Sequence, residues 1–188
     1  MVSLSRRAAL TSLAIGAGAQ LLPRRARATL VRGMTLPELV LRSQHALIGT
    51  PEDARCVHAL IGGRRMLVTE TRLRVEGLLA LSAPRERVIV VRTLGGQLDG
   101  VGEVVHGQAE LTRGRQCAAF FERGPDGACW VTGMAQGHYE LVRSDGGLVL
   151  QAGQHLPTIA DWEHSAVKQL SGLRLSEAER LVAAAVGR

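Results

Sequence analysis

From Leu67 to Glu76 the chain alternates strictly: Leu67, Thr69, Thr71, Leu73 and Val75 fall on one side, and Val68, Glu70, Arg72, Arg74 and Glu76 on the other. A period of two residues is the mark of a half-buried strand. The pattern predicts that Thr71, Leu73 and Val75 face an interior, and that the charged series from Glu70 to Glu76 forms a solvated sheet face. Upstream, two apolar stretches, residues 45–49 and 55–61, are interrupted by Pro51-Glu52-Asp53, which predicts a bent or bulged strand ended by a turn at Gly62-Gly63. Downstream, the β-branched run Val88-Ile89-Val90-Val91 predicts a strand covered on both faces.

Further strands are predicted over residues 117–122, 129–134, 139–143 and 148–151, joined by short turns. If Pro125 and Asp126 form the centre of the first of these turns, Cys129 stands opposite Glu122 and Cys117 opposite Met134. Phe120 and Phe121 point to opposite faces, so at most one of them is expected in the core. Gly133 and Gly137 predict bulges or sharp bends. Thr35-Leu36-Pro37-Glu38 has the form of a capping box and predicts a short helix to about Ser43; Ser176-Glu177-Ala178-Glu179 predicts a final helix over residues 177–186. A further helix is expected within residues 158–170. The fold class is mainly β: an OB-like barrel or small β-sandwich with a short N-terminal helix and a C-terminal helix. Its organisation reads as residues 1–28 export signal, 29–155 barrel and 156–188 C-terminal helical segment.

Charge is unevenly placed. The chain has 23 basic and 17 acidic residues, but five arginines and no acids lie in residues 1–28, so the rest carries 18 basic and 17 acidic residues. A net charge near +1 and few aromatic residues remove the electrostatic and stacking requirements of nucleic-acid binding. In the N-terminal segment, Ser5-Arg6-Arg7 precedes an uncharged stretch and Ala26-Arg27-Ala28 supplies an A-x-A-like cleavage site, which together read as an export signal. The string S-R-R-A-A-L resembles a twin-arginine translocation motif; an ordinary secretory signal is the alternative, and either route places the mature protein in the periplasm or outside the cell. The uncharged run of residues 8–23 is too short for a stable membrane span.

Three cysteines, Cys56, Cys117 and Cys129, are an odd number for an oxidising compartment. Buried free thiols, or a bond from Cys56 to either of the others, both fit; pairing Cys117 with Cys129 needs a register change. Cys56 and His58 share a strand face, which makes Cys56 the candidate reactive thiol. No nucleophile elbow, zincin motif or phosphate-binding loop occurs, and no cofactor is implied. Glu103 and His106 can meet a metal together only on a helix, which their glycine-rich surroundings oppose, so no metal site is assigned. Asp161, Glu163 and His164 read as acids at a helix start.

The order Glu38-Leu39-Val40, the bent strand, the T-x-L-x-V strand, V-I-V-V-R-T-L-G-G, G-V-G-E-V-V-H-G and W-V-T-G-M-A-Q-G-H-Y resembles uncharacterised exported proteins of myxobacteria and other deltaproteobacteria. Some of these are similar to companions of matrixin-like secreted metalloproteases, and the layout is distantly similar to the netrin or metalloprotease-inhibitor module. The inhibitor module's zinc-chelating N-terminal cysteine has no counterpart, because Thr29 stands at the expected mature N-terminus.

The expected function is therefore that of an exported, non-catalytic β-barrel binding a protein or peptide partner, with a secreted protease among the candidates. The glycine-rich loops at residues 95–107 and 134–138 are the expected contacts, through Gln97, Asp99, Gln136 and His138. The alternative is a small periplasmic enzyme or redox protein using Cys56.

Overall fold

The computed structural model describes residues 30–82 and 84–187. The export-signal assignment falls on residues outside this range.

Strand β1 (Leu30–Arg32) leads into helix α1 (Leu36–Arg42), which starts as its capping box requires: Thr35 Oγ1 accepts the Glu38 N–H at 3.4 Å and the Glu38 carboxylate accepts the Thr35 N–H at 2.8 Å. Leu36, Leu39 and Val40 make its buried face. Strands β2 (His45–Ile61) and β3 (Arg64–Leu78) then form a long antiparallel hairpin, whose register shifts at Ile48/Gly49 and at Pro51/Asp53. The bend predicted around Pro51 is this irregularity, set where proline has no N–H to give the ladder.

The remaining strands are β4 (Val88–Leu94), β5 (Gly96–Leu98), β6 (Val101–Glu103), β7 (Cys117–Arg123), β8 (Cys129–Val131), β9 (His138–Ser144), β10 (Gly147–Ala152) and β11 (Thr158–Ala160). In the main sheet the order is β10-β9-β7-β2-β3-β4-β8, and β8 also pairs with β7. That second pairing closes β2, β3, β4, β8 and β7 into a five-stranded ring, with β4 and β8 parallel at Val91↔Cys129 and Arg92↔Trp130. A closed ring removes two sheet edges, and the architecture is the OB-like barrel that the strand pattern predicts.

Two cores result. Leu47, Leu73, Val91, Ala119, Phe121 and Val131 fill the ring, so it is a packed barrel. On the outer side, Leu39, Ala118, Phe120, Tyr139, Leu150, Leu170 and Val182 join the sheet to the helices. Phe120 and Phe121 do point to opposite faces, but both are fully buried, which corrects the expectation of at most one core phenylalanine. Strand β7 has the barrel interior on one side and α1 with its neighbours on the other, so both faces are dry.

Other departures have local causes. Val90 is 47% exposed while Val91 is fully buried, so β4 is covered on one face only; four β-branched residues in a row were misleading. Cys129 pairs with Arg123, and Trp130 with Glu122, one place from the expected register. The turn is one residue longer than expected: the Gly124 N–H bonds the Ala128 carbonyl at 2.9 Å, with residues 125–127 between them. Residues 158–170 do not form one helix: β11 pairs in parallel with β1, a 3₁₀ turn follows at Trp162–His164, and α2 covers only Ala166–Leu170. Asp161 is in the left-handed conformation and makes no side-chain cap there. Helix α3 (Leu175–Val186) begins two residues earlier than the predicted Ser176 cap implies, because Glu177 accepts the Arg174 N–H at 3.1 Å. No helix among the described residues is long and apolar enough to cross a membrane.

Candidate functional site

Strand β2 pairs with β7 only over His45–Gly49, and β3 pairs with β4 only from Val68 onward. The ends of β2 and β3 beyond these points run past the barrel as a two-stranded arm. A bare two-stranded ribbon is marginally stable in water, and here the β5–β6 hairpin packs against it.

That packing has a polar centre. Thr69 Oγ1 donates its single hydrogen to the Gly95 carbonyl at 2.8 Å. The 3.4 Å contact between Cys56 Sγ and Thr69 Oγ1 therefore uses the thiol as donor, while Cys56 Sγ accepts the Gln97 N–H at 3.2 Å. Gly96 has φ 135°, and a Cβ there would run into Cys56 Sγ and Thr69 Oγ1. At the hairpin tip Leu98 pairs with Val101, so Asp99-Gly100 is a two-residue loop, with φ of 51° and 79° as a type I′ turn demands.

Gln97 and Asp99 are exposed at this tip, as expected. Cys56 is half-buried at the hairpin base, where its two hydrogen-bonding neighbours are a threonine hydroxyl and a backbone amide. All three cysteines are free. Burial pushes the Cys117 thiol up to about 12, with Glu140 and Glu76 adding to the effect, and the Cys129 thiol up to about 11, so neither offers a ready thiolate.

The other expected contact loop is not a surface loop. Residues Met134–Gly137 form a 3₁₀ turn, and Gln136 is only 6% exposed. Its Oε1 accepts the Met34 N–H at 2.9 Å and its Nε2 donates to the Arg32 carbonyl at 3.2 Å, so Gln136 fastens the segment after β1 to the barrel. His138 is 3% exposed and starts β9. Glycines on either side made residues 134–138 resemble an exposed turn, whereas Gly137 is required for close approach: a Cβ there would strike the Thr132 carbonyl.

The charged face of β3 also differs from expectation. Arg72 and Arg74 are exposed, but Glu70 is only 8% exposed. Arg92 reaches Glu70 Oε1 through Nη2 at 2.6 Å, Arg55 reaches Oε2 through Nη2 at 2.9 Å, and Arg92 Nη1 continues to Asp126 Oδ2 at 2.7 Å. Asp126 Oδ1 in turn accepts the Trp130 indole N–H at 2.9 Å. The Arg92 bonds hold Glu70 below the usual carboxylate range against the opposing effect of burial. This chain ties β2, β3, β4 and the β7–β8 turn together, and every partner is satisfied.

Between the arm and the hairpin runs a groove of about 480 Å³ lined by His58, Arg65, Leu67, Leu98, Val101 and Glu103. Leu60, Val101 and Val104 are 69%, 70% and 81% exposed. Cys56, His58 and Leu60 share one face of β2, the face on which the hairpin sits. Glu103 closes β6 and is not on a helix with His106; among the described residues no group of three or more His, Cys, Asp or Glu is placed to hold a metal ion. No protein-family model, curated protein or solved structure matches the chain.

Proposed function

We propose that this chain is an exported, non-catalytic binding protein, similar in kind to the myxobacterial exported proteins that its motifs resemble, and that its partner is a protein or peptide docked on the β2–β3 arm and the β5–β6 hairpin. A secreted protease is the partner to test first. The observation that carries the reading is the exposure of Val101 on the wall of a groove with a charged rim, with Leu60 exposed farther along the β2 face that carries His58 and Val104 exposed next in the chain to Glu103. Apolar side chains gathered on a projecting element and bordered by charge are typical of contact surfaces. Arg65 and Glu103 on the groove wall would orient an extended segment, and the arm edge of β2 beyond Pro51, whose carbonyl accepts the Gly114 N–H, leaves backbone groups open to strand addition.

Cys56 serves this reading as the anchor of the hairpin. Export follows from Arg6-Arg7 and the Ala26-Arg27-Ala28 site, and it puts the arm in contact with periplasmic or extracellular partners.

The test is capture from culture supernatant with the mature protein and a Leu60→Ser, Val101→Ser, Val104→Ser variant of matched melting temperature. Loss of a specific captured protein in the variant supports the arm surface. The same partners in both would defeat it, and hydrolytic or redox turnover abolished only by Cys56→Ala would move the assignment to an enzyme. For export, Arg6→Lys with Arg7→Lys should retain precursor in the cytoplasm; unchanged export would indicate the general secretory route.

A further inference from the structure

A second cavity, of about 260 Å³, lies where β9 and β10 extend past the barrel. Its walls are β9, residues 110–115 and residues 151–155, and its polar lining includes Glu110, Thr112, Arg115, His138, Glu140 and His155. His138 and Glu140 point the same way from β9, since they are two residues apart on a strand. Opposite them, Arg115 Nη1 holds Glu140 Oε2 at 3.1 Å, and at the rim His155 Nε2 lies 3.5 Å from Glu110 Oε2.

His138 is the unusual member. Its side chain is more than nine-tenths buried, yet neither ring nitrogen is bonded to another described residue; at the same time, no fully sequestered polar atom lacks a partner. The unbonded part of the ring therefore meets the cavity. A buried imidazole with free hydrogen-bonding capacity costs stability unless something in the cavity completes it. Burial keeps the ring neutral down to about pH 4, so it can offer a lone pair.

The charges decide what fits. Glu110, Glu140 and Arg115 leave one net negative charge on the wall, and the field of Glu140 also reaches inward to Cys117 and His138. An anion would meet two carboxylates. We infer that this cavity binds a single protonated amine or guanidinium group, with Glu110 and Glu140 supplying the counter-charge and His138 an acceptor at the floor. The assignment of this site does not rest on the arm surface, although Glu110 and His155 also border the adjoining cavity lined by Glu103 of the hairpin and by Val104. The group can come from a free alkylamine or from a basic side chain of a peptide; the chemistry is the same.

The experiment follows the His138 ring nitrogens by NMR at pH 8 in the full mature protein, titrated with ethylguanidinium, its neutral isostere ethylurea, and a capped Gly-Arg-Gly peptide. Ethylguanidinium and the peptide should shift His138 saturably while ethylurea does not. Glu110→Gln with Glu140→Gln should weaken binding about tenfold or more. Glu110→Gln alone should weaken it several-fold at an unchanged melting temperature, because the Glu110 side chain is largely solvent-exposed whereas Glu140 is mostly buried in its pair with Arg115. Tighter binding of the peptide than of ethylguanidinium would make a polypeptide the source; equal binding would make it a free small cation. Equal shifts from ethylguanidinium and ethylurea, no shift from either, or a double variant that binds like wild type would each overturn the assignment.

Discussion

Arg92 grips Glu70 with two donors on one oxygen, Nε at 3.0 Å and Nη2 at 2.6 Å, across the β3–β4 ladder in which the two residues are directly paired. Glu70 sits in a row of charges that otherwise faces water. Its burial follows from the β7–β8 turn, which brings Asp126 and Trp130 over this end of β4 and converts an exposed cross-strand pair into the middle of a chain of ion pairs.

Glu70→Ala should therefore destabilise the protein by about 2 kcal/mol, since it leaves Arg92 partly buried without its main partner. Arg72→Ala, whose only ion pair among the described residues is the exposed one with Asp53, should change stability by less than about 0.5 kcal/mol. Chemical denaturation of both variants checks the contrast; equal effects would contradict the burial of Glu70.

Glu70 and His138 both contribute to the acid response, beside the lowered carboxyls of Glu38 and Asp126, and their signs agree. The Glu70 carboxyl is held below its ordinary range in the folded protein, so its contribution is full above the unfolded value and is lost as pH falls through the folded one. His138 is lowered from 6.5 to about 4, so between these values the unfolded chain binds the proton first and stability falls as pH drops. The His138 contribution to that fall is on the order of 3 kcal/mol. His138→Gln should flatten the stability profile between pH 6.5 and 4, measured by melting temperature against pH, and leave the more acidic fall in place.

Leu73 is fully buried within the ring, packed among the side chains that include Val91 and Phe121. Leu73→Asp should cost several kcal/mol, on the order of 4, by placing an unpaired charge there. Loss of the cooperative thermal transition is the expected readout.

The hairpin base is tested by two glycines. Gly96→Ala drives a methyl group onto Cys56 and Thr69, whereas Gly100→Ala enters open space and meets only the strain of its positive φ. Gly96→Ala should release the hairpin and speed Cys56 labelling by a thiol reagent at least several-fold; Gly100→Ala should leave the rate near that of wild type.

Gln136→Ala removes the two Gln136 side-chain bonds to residues 32 and 34, leaving the buried Met34 N–H without its partner. A loss of about 1–3 kcal/mol is expected, with faster amide exchange at Met34 as the local signature.

Much of the fold lies in local patterns that the sequence carries by itself. The Thr35-Glu38 box determines where α1 begins, the alternation through Leu73 determines the inner face of β3, and Asp99-Gly100 determines a two-residue turn, because each depends on neighbours a few residues apart. Tertiary structure decided what those patterns cannot contain. Phe120 and Phe121 are both buried because α1 covers the outside of β7. Gln136 is inside because the chain after β1 passes over it, 102 residues away from Met34 in sequence. Glu70 leaves solvent because a turn 56 positions later lies beside Arg92. Burial is a sum over everything that packs on a residue, and period-two alternation reports only which side of the strand it is on. The cavity at His138 is of the same kind: its walls come from β9, residues 110–115 and residues 151–155, which only the closed sheet brings together.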